Sequence, residues 1–249
     1  MKKKFDRLKY FILSLEYLIS KTFFYSQSRF SHILKDIFYS KLFSLKNNFD
    51  TLSGKSTSEL PIIDNEILKQ RNRFHSQAVF SSYYDFDEVP KVFHSIINDN
   101  KEKIEKYLGK KFVFKKPMAF RNYNIPKEFG NFDIYSNLWH QDSHDGNRML
   151  TIFVLCHSVS LDEGPLYYLD FDNVKKNWPK LRERWSWEVW KEVINFKDQK
   201  KFTGEKGDYI IIDNSRCMHR ASIPSNYRDM ISINLFPKWR KNSNRSTYV

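Results

Sequence analysis

The residues best suited to chemistry in this chain are two histidines and an aspartate: His140, Asp142 and His219. His140 and Asp142 are two positions apart, and residues at that spacing on one strand point to the same face. His219 follows the apolar run at residues 209–212, so a second strand can bring it to the same point. Two imidazoles and one carboxylate form the facial triad typical of non-haem Fe(II) oxygenases. We therefore predict an iron site.

A His-x-Asp triplet by itself is weak evidence for a metal, because a hydrogen-bonded His–Asp pair in a protein core is its ordinary interpretation. The surrounding sequence favours the metal. Strand-like segments flank the triplet, and Arg228 opens a further strand nine residues after His219. A guanidinium adds a fixed cation to the predicted site.

The elements that must position these residues are mostly strands. Short β-branched or aromatic runs broken by Gly, Pro, Asn and Asp predict strands, and apolar spacings of three and four predict helices before and within that set. This order indicates a mainly β fold with flanking helices, an antiparallel two-sheet barrel. The strands are predicted at residues 111–125, 132–140, 150–159, 165–169, 208–213 and 228–236, and the helices at residues 89–108 and 172–196. No GxGxxG follows a strand and there is no Walker-type loop, so nucleotide-binding folds are disfavoured.

The N-terminal part of the chain is predicted to be a separate, helical extension. Residues 51–61 are rich in Ser, Thr and Gly, end in proline and resemble a linker. We therefore divide the chain into a basic, aromatic extension at residues 1–55 and a catalytic domain at residues 56–249. Charges interrupt the first apolar run, so neither a membrane-spanning helix nor a secretory signal fits it.

Residues 1–50 carry ten basic and four acidic side chains among many aromatic ones. An amphipathic helix of this composition can contact an anionic membrane surface. Packing of the same helix on the catalytic domain is the open alternative.

The net charge of +13 admits nucleic acid, an anionic membrane or an anionic small molecule as a partner. Nucleic acid is disfavoured, because no zinc-finger spacing, RNP motif or basic zipper accompanies the charge. Two cysteines, Cys156 and Cys217, predict free thiols in a reducing compartment and hence a cytoplasmic protein, with membrane association as an open addition.

The sequence resembles the Fe(II)- and 2-oxoglutarate-dependent oxygenases, and among them the phytanoyl-CoA dioxygenase-like group. The resemblance covers about residues 111–237 and implies a double-stranded β-helix, or jelly roll. Two departures accompany it: the loop after Gly164 and Pro165 lacks the Pro-Gly-Ser-His run of the acyl-CoA branch, and Arg228 is closer to His219 than in many relatives. The matching stretches are LWHQDSHDGNRMLTIFVLCHSV, LDEGPLYYL and GDYIIIDNSRCMHRASIPSNYRDMISINLF.

The resemblance implies that His140, Asp142 and His219 hold Fe(II) and leave positions for 2-oxoglutarate and O2. The remote carboxylate of 2-oxoglutarate then needs a cation, and Arg228 can bind it in a bidentate manner. Strand alternation places Ser232 on the same face as Arg228, together with Met230 and Asn234, so Ser232 is a second candidate for that carboxylate. A core serine bonded to backbone is the alternative for Ser232.

Two further groups are weaker candidates. Arg121 and Tyr123 are two apart on one predicted strand and could hold the other carboxylate of 2-oxoglutarate, although a surface arginine beside a packed tyrosine is the simpler interpretation. His144, Asp145 and Arg148 follow the triplet on a predicted loop at the mouth of the site, where they could contact substrate.

The sequence therefore predicts a 2-oxoglutarate-dependent dioxygenase that hydroxylates a small-molecule or lipid-like substrate. Two alternatives stay open. One is a non-catalytic jelly-roll binding module, and the other is an oxygenase of the same fold that acts on nucleic acid or protein.

Overall fold

The computed structural model describes residues 27–64, 81–115, 117–124, 135–142, 148–177, 196–240 and 245–248. Its strands are β1 Leu52–Lys55, β2 Ser81–Asp85, β3 Phe112–Lys115, β4 Met118–Tyr123, β5 Leu150–Leu155, β6 Leu166–Leu169, β7 Lys200–Phe202, β8 Asp208–Ile212, β9 Met218–Arg220, β10 Tyr227–Pro237 and β11 Arg245–Tyr248. Its α-helices are α1 Gln27–Leu42, α2 Lys91–Asp99, α3 Lys101–Leu108 and α4 Phe171–Asn177.

Eight strands form a large antiparallel sheet organised around the long strand β10. One edge of β10 pairs with β5, and β5 continues to β8 and β1. The other edge pairs first with β4 and then with β3, which extend the sheet to β2 and β11. The strand that begins beside Arg228 therefore runs through the middle of the sheet.

A smaller sheet of β7, β6 and β9 faces the large one. Side chains along a strand point alternately to the two faces of its sheet, and both faces of the large sheet are buried. Ile152 and Val154 of β5 belong to an apolar cluster shared with α2 and α3, whereas Phe153 and Leu155 belong to a second cluster with Leu166 of the small sheet. The result is a mainly β jelly roll with flanking helices, as we predicted.

Helices α2 and α3 cover the outer face of the large sheet. We predicted one helix over residues 89–108, but Asn100 divides it. The Asn100 side-chain amide donates to the Ile96 carbonyl at 2.9 Å and to the Tyr209 hydroxyl at 3.0 Å. Asparagine competes in this way for helix backbone groups, and the side chain fixes the break against β8.

The predicted linker at residues 51–61 is wrong in part, because Leu52–Lys55 form β1 and pair with β8. Leu52 pairs with Ile211 and Lys55 with Asp208, so this edge strand satisfies the outer backbone groups of β8. The boundary at residue 55 between extension and domain stays a prediction.

Helix α1 contacts the rest of the fold through one face. Asp36 accepts a hydrogen bond from the Trp239 indole at 2.9 Å, and the Tyr39 ring stacks on that indole at 5.1 Å. This contact agrees with the packed alternative for the N-terminal helix. Within the described residues, we find no helix with enough length and apolar character to cross a membrane.

Candidate active site

The two candidate histidines are joined directly through their backbones. His140 and His219 form an isolated antiparallel bridge in which each N–H donates to the other's carbonyl at 3.0 Å, and their ring centroids are 4.3 Å apart. We predicted a strand at residues 132–140 that leads into the triplet, and His219 just after the strand at residues 209–212. The first placement is wrong where the structure describes the segment, because His140 follows the short helix Tyr135–Asn137. His219 does follow β8, and it lies in the separate strand β9 of the small sheet.

Each histidine has one ring nitrogen directed at a backbone carbonyl. Nδ1 of His140 lies 2.7 Å from the Leu138 oxygen, and Nδ1 of His219 lies 3.3 Å from the Cys217 oxygen. A carbonyl only accepts hydrogen bonds, so the neutral form of each imidazole would carry its proton on Nδ1 and present the lone pair of Nε2. The two Nε2 atoms are therefore the ones that can bind a metal.

Asp142 brings its carboxylate to the same two nitrogens. Its Oδ1 lies 3.7 Å from Nε2 of His140, and its Oδ2 lies 3.5 Å from Nε2 of His219. Neighbouring ligands of one ion are about 3 Å apart when each bond is about 2.1 Å long. Within the described part of the chain, this is the one group of three or more His, Cys, Asp or Glu side chains with metal-ligand spacing. The donor set fits a divalent transition metal such as Fe(II).

Arg228 is buried and has no carboxylate partner within the described residues. Its Nη1 donates to the Gly164 carbonyl and its Nη2 to Oδ1 of Asn122 at 2.7 Å, whereas its Nε donates to nothing that the structure describes. Burial lowers the pKa of the guanidinium to about 10. A buried charge of this kind costs free energy unless an anion accompanies it, so the position fits a ligand carboxylate.

Two neighbours hold this arginine in place. Asn122 donates to the Ser81 hydroxyl at 2.7 Å, which leaves its carbonyl oxygen directed at Arg228. Gly164 has φ = 74°, and a Cβ there would lie 2.7 Å from the Pro224 nitrogen. Only glycine fits this conformation and this close approach, so the Gly-Pro pair of the sequence supports the arginine.

Both groups of residues line a single cavity of about 220 Å³. The three candidate metal ligands contribute to its wall, and so do Arg228, Met230, Ser232 and Asn234, alternate residues of β10. Phe120, Phe153 and Leu166 supply apolar wall. The cavity can therefore hold a metal and a carboxylate ligand together, with apolar surface beside them.

Arg121 and Tyr123 do not reach this cavity, contrary to the weaker prediction. Arg121 donates to both oxygens of Asp229, at 2.6 and 2.7 Å, and its guanidinium lies over the Tyr227 ring. Tyr123 contacts the Ser82 hydroxyl at 3.2 Å. Arg121 pairs with Asp229 and Asn122 with Arg228 across β4 and β10, so strand alternation turns Arg121 to the opposite face.

Arg148 also points away from the cavity. It donates to the Tyr107 carbonyl at 2.6 Å, and its guanidinium lies over the Tyr107 ring at 4.6 Å. The prediction that Arg148 touches substrate at the mouth is therefore wrong. His144 and Asp145 lie outside the described residues, as does most of the predicted helix at residues 172–196.

The cavity residues that sequence reasoning missed include Tyr83, Asn122 and Asn214. Tyr83 lies on β2, which we did not predict. Asn122 lies between two residues that we had considered, and the alternation rule alone indicates that it faces oppositely to them. Asn214 lies five residues before His219, in the turn that separates it from β8.

Comparisons with known proteins give a distant likeness. No protein-family model matches the chain, and the search of curated proteins finds no relative. HygX from Streptomyces hygroscopicus, solved with nickel, 2-oxoglutarate and hygromycin B bound, is 10% identical, with a TM-score of 0.47 over 82% of this chain and 87% of that one. The epimerase SnoN, solved with Fe3+, alpha ketoglutarate and nogalamycin RO, is 11% identical, with a TM-score of 0.45 over 80% of this chain and 83% of that one.

Proposed function

We propose that the protein is an Fe(II)- and 2-oxoglutarate-dependent dioxygenase that hydroxylates a small molecule. The observation that supports this best is the pairing of two features in one cavity. His140, Asp142 and His219 present metal-ligand atoms to one another, and Arg228 places a buried guanidinium without a carboxylate partner among the described residues on the same wall. A metal together with a carboxylate-bearing co-substrate satisfies both.

When bound, Fe(II) with 2-oxoglutarate and O2 supplies the oxidation, in which 2-oxoglutarate gives succinate and CO2 and a C–H bond of the substrate becomes C–OH. The side chains of the protein position the metal and the co-substrate and shield the reacting atoms from water. The two imidazoles and the aspartate hold the metal, Arg228 binds the remote carboxylate of 2-oxoglutarate, and Ser232 adds a hydrogen bond to it. Apolar walls from Phe120, Phe153 and Leu166 exclude water from the reacting atoms.

The substrate is proposed to be a small, anionic or lipid-like molecule, in keeping with the net charge of +13. Membership of the phytanoyl-CoA dioxygenase-like group stays a proposal that rests on the three matching stretches. The departure after Gly164 argues against an acyl-CoA substrate.

The test of the proposed function is metal-dependent chemistry. Purified protein should bind one Fe(II) per chain, form a visible charge-transfer band on anaerobic addition of 2-oxoglutarate, and release succinate with a substrate found by screening. The double variant His140→Ala, His219→Ala should lose metal binding by at least about 100-fold, because each imidazole is a direct ligand. His94→Ala removes an exposed histidine of α2 and should bind like the wild type. Wild-type metal content in the double variant contradicts the assignment.

The same measurements separate the two alternatives. A non-catalytic jelly-roll module gives no charge-transfer band and no succinate. An oxygenase of nucleic acid or protein binds oligonucleotides or peptides tightly, and binding to oligonucleotides weakens steeply with salt.

We also propose that α1 contacts an anionic membrane surface. Its outward face exposes an apolar stripe at helical spacing, made of Leu34, Ile37, Phe38 and Leu42 and continued by Phe43. Lys35, Lys41 and Lys46 are exposed around it. Apolar side chains beside lysines are the composition that binds the interface of anionic bilayers.

Vesicle flotation tests the membrane contact. The protein should float with vesicles that contain phosphatidylserine and much less with phosphatidylcholine alone. Phe38→Ser combined with Leu42→Ser should abolish flotation, whereas Leu161→Ser, at an exposed leucine elsewhere, should not. If the double variant floats as well as the wild type, the membrane is not what this face binds. The same conclusion follows if the wild type is a dimer and the double variant is a monomer.

A further inference from the structure

Asn214 contacts Asp142 through both its backbone and its side chain. The Asp142 N–H donates to the Asn214 carbonyl at 2.8 Å, and Nδ2 of Asn214 donates to Oδ2 of Asp142 at 3.3 Å. Asn214 is 1% exposed and lines the cavity that holds the three candidate metal ligands. It therefore forms part of the immediate surroundings of the aspartate.

The chemistry of the pair fixes which way the Asn214 amide points. An ionised carboxylate only accepts hydrogen bonds, so the NH2 of the amide must face Asp142 and the oxygen must face away. In agreement, Oδ1 of Asn214 is buried and has no hydrogen-bond partner that the structure describes. The contact is therefore that of a donor to one carboxylate oxygen.

The turn that carries Asn214 is held independently of Asp142. The Asp213 carboxylate accepts hydrogen bonds from Ser215 Oγ at 2.6 Å and from the Tyr107 hydroxyl. The Asp213 carbonyl accepts from the N–H groups of Arg216 at 3.0 Å and Cys217 at 2.7 Å. These contacts hold the backbone of the turn on both sides of Asn214.

We propose that Asn214 is the positioning residue of the metal site. Its amide engages one oxygen of Asp142 and fixes the rotation of the carboxylate, so that the other oxygen is directed at the ion. Outer hydrogen bonds of this kind orient carboxylate ligands and set metal affinity. The inference rests on the proposed function in one respect: it requires that Asp142 bind a metal.

The experiment measures Mn(II) affinity from the EPR signal of the free ion, without 2-oxoglutarate and without turnover. Asn214→Leu keeps the approximate volume and removes the donor, and it should weaken binding roughly 10- to 100-fold. Asn214→Ala adds no atoms and tests the same donor if the leucine does not fold. Ser215→Ala is the matched control, because it loosens the same turn without touching Asp142, and it should bind Mn(II) like the wild type.

The outcomes separate this inference from the proposed function. A wild-type protein that binds no Mn(II) overturns both. A wild type that binds Mn(II), with Asn214 variants that bind it equally well, overturns only the role of Asn214. Equal weakening by Ser215→Ala assigns the effect to the turn as a whole and also overturns the inference.

Discussion

Arg121 and Arg228 lie on neighbouring strands and are both buried, but they differ in whether the fold supplies a carboxylate partner. Their strands, β4 and β10, pair in register. Arg121 forms a bidentate ion pair with Asp229, which raises its pKa, whereas burial lowers the pKa of Arg228 to about 10. Arg121 has its carboxylate partner within the fold. In our proposal, the carboxylate partner of Arg228 is a ligand.

We predict that removing the two side chains has different effects on stability. Arg121→Met leaves the Asp229 carboxylate buried and unpaired, and should lower the free energy of unfolding by about 3 kcal/mol or more. Arg228→Met relieves a burial cost of about 3 kcal/mol, judged from the lowered pKa, but leaves the Gly164 and Asn122 acceptors unsatisfied. Its apo stability should therefore change little, while 2-oxoglutarate binding is lost. Urea unfolding and anaerobic titration measure the two effects, and a large destabilisation by Arg228→Met would contradict this account.

The thiols give a pH-dependent prediction. Burial raises the pKa of Cys156 to about 12 and that of Cys217 well above its ordinary value. At pH 8 only about one Cys156 in ten thousand is then a thiolate. A thiol reagent should modify neither cysteine rapidly in the native protein, and both rapidly after unfolding. The raised pKa also means that the stabilisation from the buried neutral thiol is lost as pH rises from about 8.5 toward 12. Rapid native labelling at pH 8 would show that these thiols are accessible.

Strand β10 was predicted almost in full, whereas the short strand β9 was not predicted. Strong alternation over residues 228–236 indicated a strand with Arg228, Met230, Ser232 and Asn234 on one face, and all four line the cavity. Three-residue strands such as β9 leave too few positions for alternation to register. Asn100 ended a helix by a contact with Tyr209, which is distant in sequence and invisible to local periodicity.

The edge strand β1 leads to a prediction about truncation. Removing residues 1–55 deletes β1 and also Phe49, a buried residue whose ring packs 5.5 Å from that of Tyr107. Loss of a buried phenylalanine side chain costs about 3–5 kcal/mol, and β8 also loses a partner strand. This truncation should be less stable than one that removes only residues 1–26. Thermal unfolding compares the two, and equal midpoints would support a domain boundary at residue 55.

For the whole molecule, the candidate metal ligands connect distant parts of the chain. The triplet follows a short helix between β4 and β5, whereas His219 lies in the small sheet. An ion that binds only the folded arrangement stabilises it by about 2.7 kcal/mol at a concentration 100 times its dissociation constant. We therefore expect Mn(II) to raise the melting temperature of the wild type and not that of His140→Ala, His219→Ala. A calorimetric scan with and without Mn(II) measures this, and an equal shift in both proteins would place the ion elsewhere.

The sequence was more informative about the candidate site residues than about the residues that surround them. Ligand type, spacing and order identified His140, Asp142, His219 and Arg228, and the structure brings all four to one cavity. It could not indicate which face of β4 lines the cavity, because that depends on how β4 pairs with β10. Nor could it reveal Asn214, whose contact with Asp142 depends on how two segments 72 residues apart meet.

In our proposal, the backbone bridge between His140 and His219 forms the main-chain part of the metal site. Each of these residues satisfies the other's main-chain groups, and Asp142 is tied to Asn214 by a main-chain bond of its own. These main-chain hydrogen bonds need no ion, so we expect metal binding to leave the backbone in place. The far-ultraviolet circular dichroism should therefore stay constant when a metal ion binds. The rate of metal binding should follow the rate at which the ion loses its bound water.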